Sequence, residues 1–372
     1  MSKRILALIL AFTLIFSLTA CGKTQDNASE TNDKSNEEVI EKNEEASEAI
    51  DFENFDKEKY KDVTLNVYCV ADIVVPILEA FYEDTGIKAE SLVMSNGEIL
   101  QRLKNEKEAN TVIADVWFTG GADAFIDAAS NDVLLPYDSI EGKNIPDNMK
   151  DKDGYWYGTS LTLVNLVINK DLIEERGLKM PETWDDLLQE GLKGEVSLSD
   201  PASSGTAYNI VSAILQSRGE EEGWEYISKL MDQIPFFTPK GGGPSQNVIN
   251  GEAIVGIHPS NGDRELEEEY DFIKLVYPSD GTGWWPQPAA IVNGAKNEEA
   301  AKVLIEWLLS KRGMEQIAKI RYAAVAREDV EMPEGIVDIK DVKLFPSDFK
   351  AGAENREEII EKWNSLLQEK GR

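Results

Sequence analysis

The chain has 372 residues, with 69 Asp and Glu against 38 Lys and Arg, and a formal net charge of −31. Such an acidic balance argues against nucleic acid as a partner and favours solubility. Two cysteines and one histidine leave little for a disulfide scaffold or a histidine-based metal site, and the length allows two lobes with cores of their own.

Lys3 and Arg4 precede an apolar run over residues 5–16, followed by Ser17-Leu18-Thr19-Ala20-Cys21-Gly22. This is a charged region, a hydrophobic region and small residues before a cleavage point. The run falls short of the ~20 apolar residues that span a bilayer. Residues 1–20 are therefore expected to be a signal peptide. Cys21, placed as in a bacterial lipobox, is expected to carry the lipid that anchors the protein outside the cytoplasm. Cys69 is then left without an intramolecular partner and reads as a small buried apolar residue. Residues 21–61, rich in Glu, Asp, Asn, Ser and Lys, are expected to form a disordered acidic tether.

From residue 65 strands and helices alternate. Residues 65–70, 87–93 and 113–118 read as strands, with helices over 72–84 and 122–129 and a third helix opened by the capping box Ser95-Asn96-Gly97-Glu98. The rhythm resumes with a buried strand at 162–169, a capped turn at Thr183-Trp184-Asp185-Asp186 and a strand at 195–198. The loop Asp200-Pro201-Ala202-Ser203-Ser204-Gly205-Thr206 then opens a helix. A helix over 222–232, the glycine run after Lys240 and strands at 253–257 and 273–277 follow. Gly281-Thr282-Gly283-Trp284-Trp285-Pro286 is expected to break the pattern. Residues 289–292 read as a strand, and 297–309, 313–319 and 355–368 as helices.

This alternation predicts an α/β fold whose sheets are mostly parallel and flanked by helices. In such sheets ligands bind beyond the carboxyl ends of strands, at loops passing into helix N-termini, where unpaired N–H groups favour anions. Four loops qualify, over residues 95–98, 119–122, 203–207 and 241–245. Thr206 is expected to donate to a buried anion, Lys240 to add charge, His258 to bond ligand hydroxyls, and Trp284 or Trp285 to offer a flat face.

The order of these pieces resembles the bacterial extracellular solute-binding proteins of ABC importers, in the branch of ferric-ion, phosphonate and hexose-phosphate receptors. The matching residues are Ala80-Phe81, Thr85-Gly86-Ile87, Gly97-Glu98, Ala114-Asp115-Val116, Gly120-Gly121-Ala122-Asp123, Leu134-Leu135-Pro136-Tyr137, Tyr155-Trp156-Tyr157-Gly158 and Asn169-Lys170. They continue with Pro181-Glu182-Thr183-Trp184-Asp185-Asp186-Leu187, Asp200-Pro201, Ser204-Gly205-Thr206, Gly251-Glu252, Gly281-Thr282-Gly283 and Gly294-Ala295-Lys296-Asn297. The resemblance implies a type II periplasmic-binding-protein fold, with a ligand cleft between two lobes. Lobe 1 would comprise residues 62–160, lobe 2 residues 161–282, and residues 283–372 a return to lobe 1 with C-terminal helices.

The implied ligand contacts are Ser95, Asn96, Thr119, Gly120, Gly121, Ser160, Ser203, Ser204, Gly205, Thr206, Lys240, Gly241, His258 and Trp284. The implied partners are a small-molecule ligand and the transmembrane subunits of an ABC permease, with the chain itself a monomer. A phosphate- or phosphonate-bearing organic anion suits the hydroxyl- and glycine-rich loops. Ferric iron is the alternative within the family, and reporting a ligand to a sensor kinase is another. The adjacent tyrosine pair of the iron receptors does not occur in this sequence. No cofactor or metal is expected. Catalysis is disfavoured because there is no nucleophile-elbow pattern, metal-ligand cluster or phosphate-binding Walker loop, and His258 is the one imidazole available to activate Ser203 or Ser204.

Overall fold

A computed structural model describes residues 49–261 and 264–372. The expected signal peptide, Cys21 and the first part of the tether lie outside the described residues. Residues 49–61 are mostly exposed, but their aromatic side chains pack against the folded body, unlike the tether expected up to residue 61. Phe52 is buried, Phe55 stacks between Phe52 and Tyr60 with centroids 6.1 Å apart in each pair, and Lys57 Nζ donates to the Glu83 carbonyl at 2.5 Å. These aromatics supply the apolar area that an acidic tether lacks.

The first half runs β1 (Thr64–Cys69), α1 (Val74–Thr85), β2 (Lys88–Val93), α2 (Asn96–Glu108), β3 (Val116–Phe118), α3 (Ala122–Ser130) and the short β4 (Leu134–Leu135). It then enters β5 (Tyr157–Asn169), which is buried at every residue. Next come α4 (Lys170–Glu175), β6 (Val196–Ser199), α5 (Gly205–Arg218), α6 (Glu220–Gln233), β7 (Phe237–Thr238) and α7 (Gly243–Ile249). The chain continues through β8 (Val255–Ser260), α8 (Glu265–Glu269), β9 (Ile273–Val276) and β10 (Trp284–Val292). It closes with α9 (Glu298–Leu309), α10 (Lys311–Arg321), α11 (Phe349–Glu354) and α12 (Arg356–Glu369).

The strand order is β2-β1-β3-β10-β5-β8-β6-β7, with β4 on β10 and β9 on β5. The expectation of mostly parallel sheets holds for the outer strands only. β1 is parallel to β2 and β3, and β6 to β7 and β8, whereas β5 and β10 are antiparallel to all their partners. The sheet is mixed because β5 and β10 pass from one lobe to the other instead of being joined to their neighbours by a helical crossover. The first half of β5 pairs with β10 and its second half with β8 and β9.

The Gly281–Pro286 stretch also differs from expectation, because Trp284 begins β10 instead of lying in a break. Pro286 and Pro288 are accommodated beside a register shift at Gln287/Pro288. Successive residues of a strand face opposite sides, so Trp284 joins the core with α1, α9 and α10 while Trp285 joins the core with α5 and α6. The C-terminal segment divides as well. α9 and α10 pack on the first-lobe core, but Trp363 of α12 is buried in the second-lobe core, 5.0 Å edge-on to Phe237, and Lys370 pairs with Asp232 at 2.6 Å. Among the described residues no helix is long and apolar enough to cross a membrane.

Candidate functional site

Strain appears at the end of β3. Thr119 is β-branched yet has φ 69°, a left-handed conformation costing on the order of 1–3 kcal/mol. Its surroundings hold it there. Its N–H donates to the Pro288 carbonyl at 2.8 Å, its carbonyl accepts from Trp117 Nε1 at 3.1 Å, and its Oγ1 accepts from the Val70 N–H at 3.4 Å. The turn aims the Gly120 N–H at Gln287 Oε1 (3.3 Å), while Gln287 Nε2 donates to Thr162 Oγ1 at 3.0 Å. Asn96 packs over Gly120 and Gly121, and its Oδ1 is buried with no hydrogen bond. Ser95, Asn96, Thr119, Gly120 and Gly121 are thus brought together on the first lobe.

This group is already supplied with negative charge. Glu98 accepts the Ser95 N–H at 2.8 Å and the Ser95 hydroxyl at 2.7 Å, and these bonds lower its pKa. The Asp123 carboxylate folds back against Gly121 in the first turn of α3. The N-termini of α2 and α3 therefore hold carboxylates of the chain itself.

The second lobe is built differently. Ser204 caps α5 by accepting the Ala207 N–H at 3.3 Å, and the Ser203 hydroxyl is spent on the Asp200 and Pro239 carbonyls at 3.3 and 3.2 Å. No acidic residue lies in the first turn of α5, and the space over Gly205 is open. Thr206 lies against Gly241, joining this loop to the next. Lys240 is exposed, and its carbonyl accepts from the Ser199 and Thr238 hydroxyls at 2.7 and 3.2 Å. Ser203, Ser204, Gly205, Thr206, Lys240 and Gly241 form one group.

A cavity of about 350 Å³ reaches from the first group to α5. Asn96, Asp123, Tyr208 and Asn209 line it, Trp284 and Trp285 border it, and Arg356 stacks over the Tyr208 ring at 4.3 Å. Burial raises the Tyr208 pKa; Arg356 opposes the rise and Asp123 adds to it. Trp284 is only 2% exposed and spends its Nε1–H on the Phe345 carbonyl at 2.8 Å, so the flat face expected for a ligand is turned into the core.

Two expected contacts lie on the paired strands β5 and β8. Ser160 faces Val325 across an isolated bridge, and its Oγ is buried without a partner. His258 is half-buried on β8, opposite Asn165 of β5. Gln287, Asp123, Asn165 and Arg321 were not singled out from the sequence. For Arg321 a signal exists: it continues the apolar stripe Met314, Ile317 and Ala318 at helical spacing.

Residues 112–337 match the family model for bacterial extracellular solute-binding proteins. An uncharacterized protein of Haemophilus influenzae is 32% identical over 311 residues, covering 80% of this chain and 89% of the relative. A Salmonella typhimurium protein described as 2-aminoethylphosphonate-binding and periplasmic is 26% identical, covering 68% of this chain and 73% of its own. Among solved structures, the periplasmic binding protein AfuA of Actinobacillus pleuropneumoniae, with exogenous fructose-6-phosphate bound, has a TM-score of 0.68 at 28% identity. That match covers 82% of this chain and 98% of the other. A ferric binding protein of Campylobacter jejuni, at 21% identity and a TM-score of 0.67, shares the fold.

Proposed function

Because the chain belongs to the family of bacterial extracellular solute-binding proteins, we propose that it captures a small organic anion bearing a phosphate or phosphonate group and delivers it to the transmembrane subunits of an ABC permease. The observation that carries this reading is the charge asymmetry of the cleft. The first-lobe helix N-termini are filled by Glu98 and Asp123, whereas α5 opens with free space over Gly205 and no carboxylate of its own. The acid group is drawn to the second lobe, and an ammonium or hydroxyl end faces the first-lobe carboxylates. The 2-aminoethylphosphonate and fructose 6-phosphate named for the two relatives have this polarity, which supports the assignment.

In this reading the lobes close about β5, β10 and the residues after α10, and ligand stabilises the closed form through contacts that the open form lacks. The protein works as a monomer, held at the outer face of the membrane by a lipid on Cys21. A thermal-shift panel of 2-aminoethylphosphonate, fructose 6-phosphate, 3-phosphoglycerate, spermidine and ferric citrate tests the ligand class. At a hundred times its Kd a ligand adds about 2.7 kcal/mol, and the phosphorus compounds are expected to do so. Stabilisation by spermidine or ferric citrate alone would overturn the reading.

A further inference from the structure

α10 buries Met314, Ile317 and Ala318 in the first-lobe core, and Arg321 occupies the next position of that stripe. A guanidinium therefore stands where packing calls for an apolar side chain. The side chain keeps part of its surface in water, but its Nη1 is removed from solvent and makes no hydrogen bond among the described residues. Burial draws its pKa down to about 10, and no carboxylate among the described residues offsets the shift. Holding part of a charged group out of water without a partner is costly, and the favourable end of a helix dipole offsets only part of that cost.

The position of Arg321 is well defined. The chain reverses at Tyr322 (φ 48°) and runs beside β5, where the Leu161 N–H donates to the Ala324 carbonyl at 2.8 Å and the Ala326 N–H to Thr159 at 3.1 Å. The Ala324 N–H donates to the carbonyl of Asn261, directly after β8, at 2.7 Å. β8 is parallel to β6, so its end lies on the sheet edge from which the Asp200–Thr206 loop also leaves. Arg321 is thus held near the edge where α5 begins.

Asn165 provides an independent observation. It is wholly buried, and neither Oδ1 nor Nδ2 makes a hydrogen bond among the described residues. It shares a face of β5 with Leu161 and Leu163, which pack in the same core as α10. The next residue on that face, Val167, belongs to a separate cluster with Val248 and Ile273. Asn165 therefore lies between the first-lobe core and this smaller cluster. Native proteins leave few buried polar atoms unmatched, and two such side chains on elements that pack together, α10 and β5, point to partners supplied from outside the chain.

We propose that Arg321 and Asn165 form the acid-group subsite of the cleft, the guanidinium taking the ligand's phosphate, phosphonate or carboxylate oxygens and the Asn165 amide its remaining polar atoms. A planar fork of donors suits such oxygens better than a point charge. The inference rests on the solute-binding reading and adds the cation that the α5 N-terminus lacks.

Arg321→Met keeps the stem and removes the charge, and Arg321→Lys keeps the charge without the fork. For each variant and for Asn165→Leu, two quantities are measured: the melting temperature without ligand, and the Kd for fructose 6-phosphate, 2-aminoethylphosphonate, inorganic phosphate and citrate. Arg321→Met is expected to melt higher than wild type when ligand-free and to bind the preferred anion about 10- to 100-fold more weakly. The lysine variant should fall between, and Asn165→Leu should also melt higher and bind more weakly. An Arg321→Met protein with unchanged affinity, or with a lower melting temperature, overturns the proposal. If wild type binds citrate but no phosphorus compound, the phosphate reading fails and citrate becomes the probe for Arg321. If wild type binds none of the four, the ligand-free melting comparison decides.

Discussion

Thr206 rests directly on Gly241: a β-carbon built at Gly241 would come within 2.8 Å of Thr206 Oγ1 and 3.0 Å of its Cβ. Gly205, one residue earlier, has nothing within 4 Å of such an atom. One glycine makes room for a neighbouring loop, and the other leaves room for something the chain does not contain.

The two positions should therefore respond differently. Gly205→Ala is expected to keep or raise stability, by up to about 1 kcal/mol, while weakening the ligand by intruding on its seat. Thr206→Val keeps the packing on Gly241 and removes the hydroxyl, and should cost about 1–3 kcal/mol of binding. Calorimetry and thermal denaturation of the two variants separate these effects. Unchanged affinity in both would remove the start of α5 from the site.

Arg327 should be a stability residue. It is 7% exposed, forks onto Asp329 at 2.6 and 2.9 Å, donates to the Leu309 carbonyl at 2.9 Å and pairs with Glu141. Arg327→Leu strands a mostly buried carboxylate at Glu141. The expected loss is about 3–5 kcal/mol, read as a lower urea midpoint with ligand affinity preserved at a concentration where the variant is folded. A midpoint equal to wild type would count against it.

Acid sensitivity should trace in part to Asp186. Burial disfavours its charge. The Lys179 ammonium at 2.7 Å and the N–H groups of Glu182 and Thr183 at 3.0 and 3.1 Å outweigh that penalty and hold its pKa at about 2, against an ordinary value of 3.8. The folded state binds this proton less readily than the unfolded state. The resulting stabilisation, about 2 kcal/mol, is therefore complete above about pH 4 and is lost as pH falls toward 2. Asp186→Asn should lower neutral-pH stability and flatten the profile over that interval. A profile parallel to wild type would assign the acid limb to other carboxylates.

Attachment to the membrane should depend on one atom. Cys21→Ser removes the thiol proposed to carry the lipid, and the folded body is then expected in the soluble fraction after cell lysis. Retention in the membrane pellet would favour an uncleaved apolar helix.

Local signals were readable where neighbours in sequence interact. The capping box at Ser95-x-x-Glu98 forms as the spacing implied, and α9, α10 and α12 fall within two residues of their periodic patterns. The break expected at Gly281–Pro286 was misplaced because glycine and proline punctuate most chains but are tolerated at the start and bulge of a crossing strand. The aromatics at 52, 55 and 60 were hidden inside an acidic run, and their burial depends on residues far along the chain.

By itself the sequence determined the alternating elements, the family and the loops that open helices, because periodicity and capping act over three or four residues. Tertiary structure decided what each of those loops has to offer. Glu98 and Asp123 fill the first-lobe seats, Ser203 spends its hydroxyl at home, and Trp284 turns into the core. Arg321 and Asn165 gain their meaning only when α10 is laid on β5. Satisfaction of a polar atom depends on every group brought around it in space, and most of those groups lie far away along the chain.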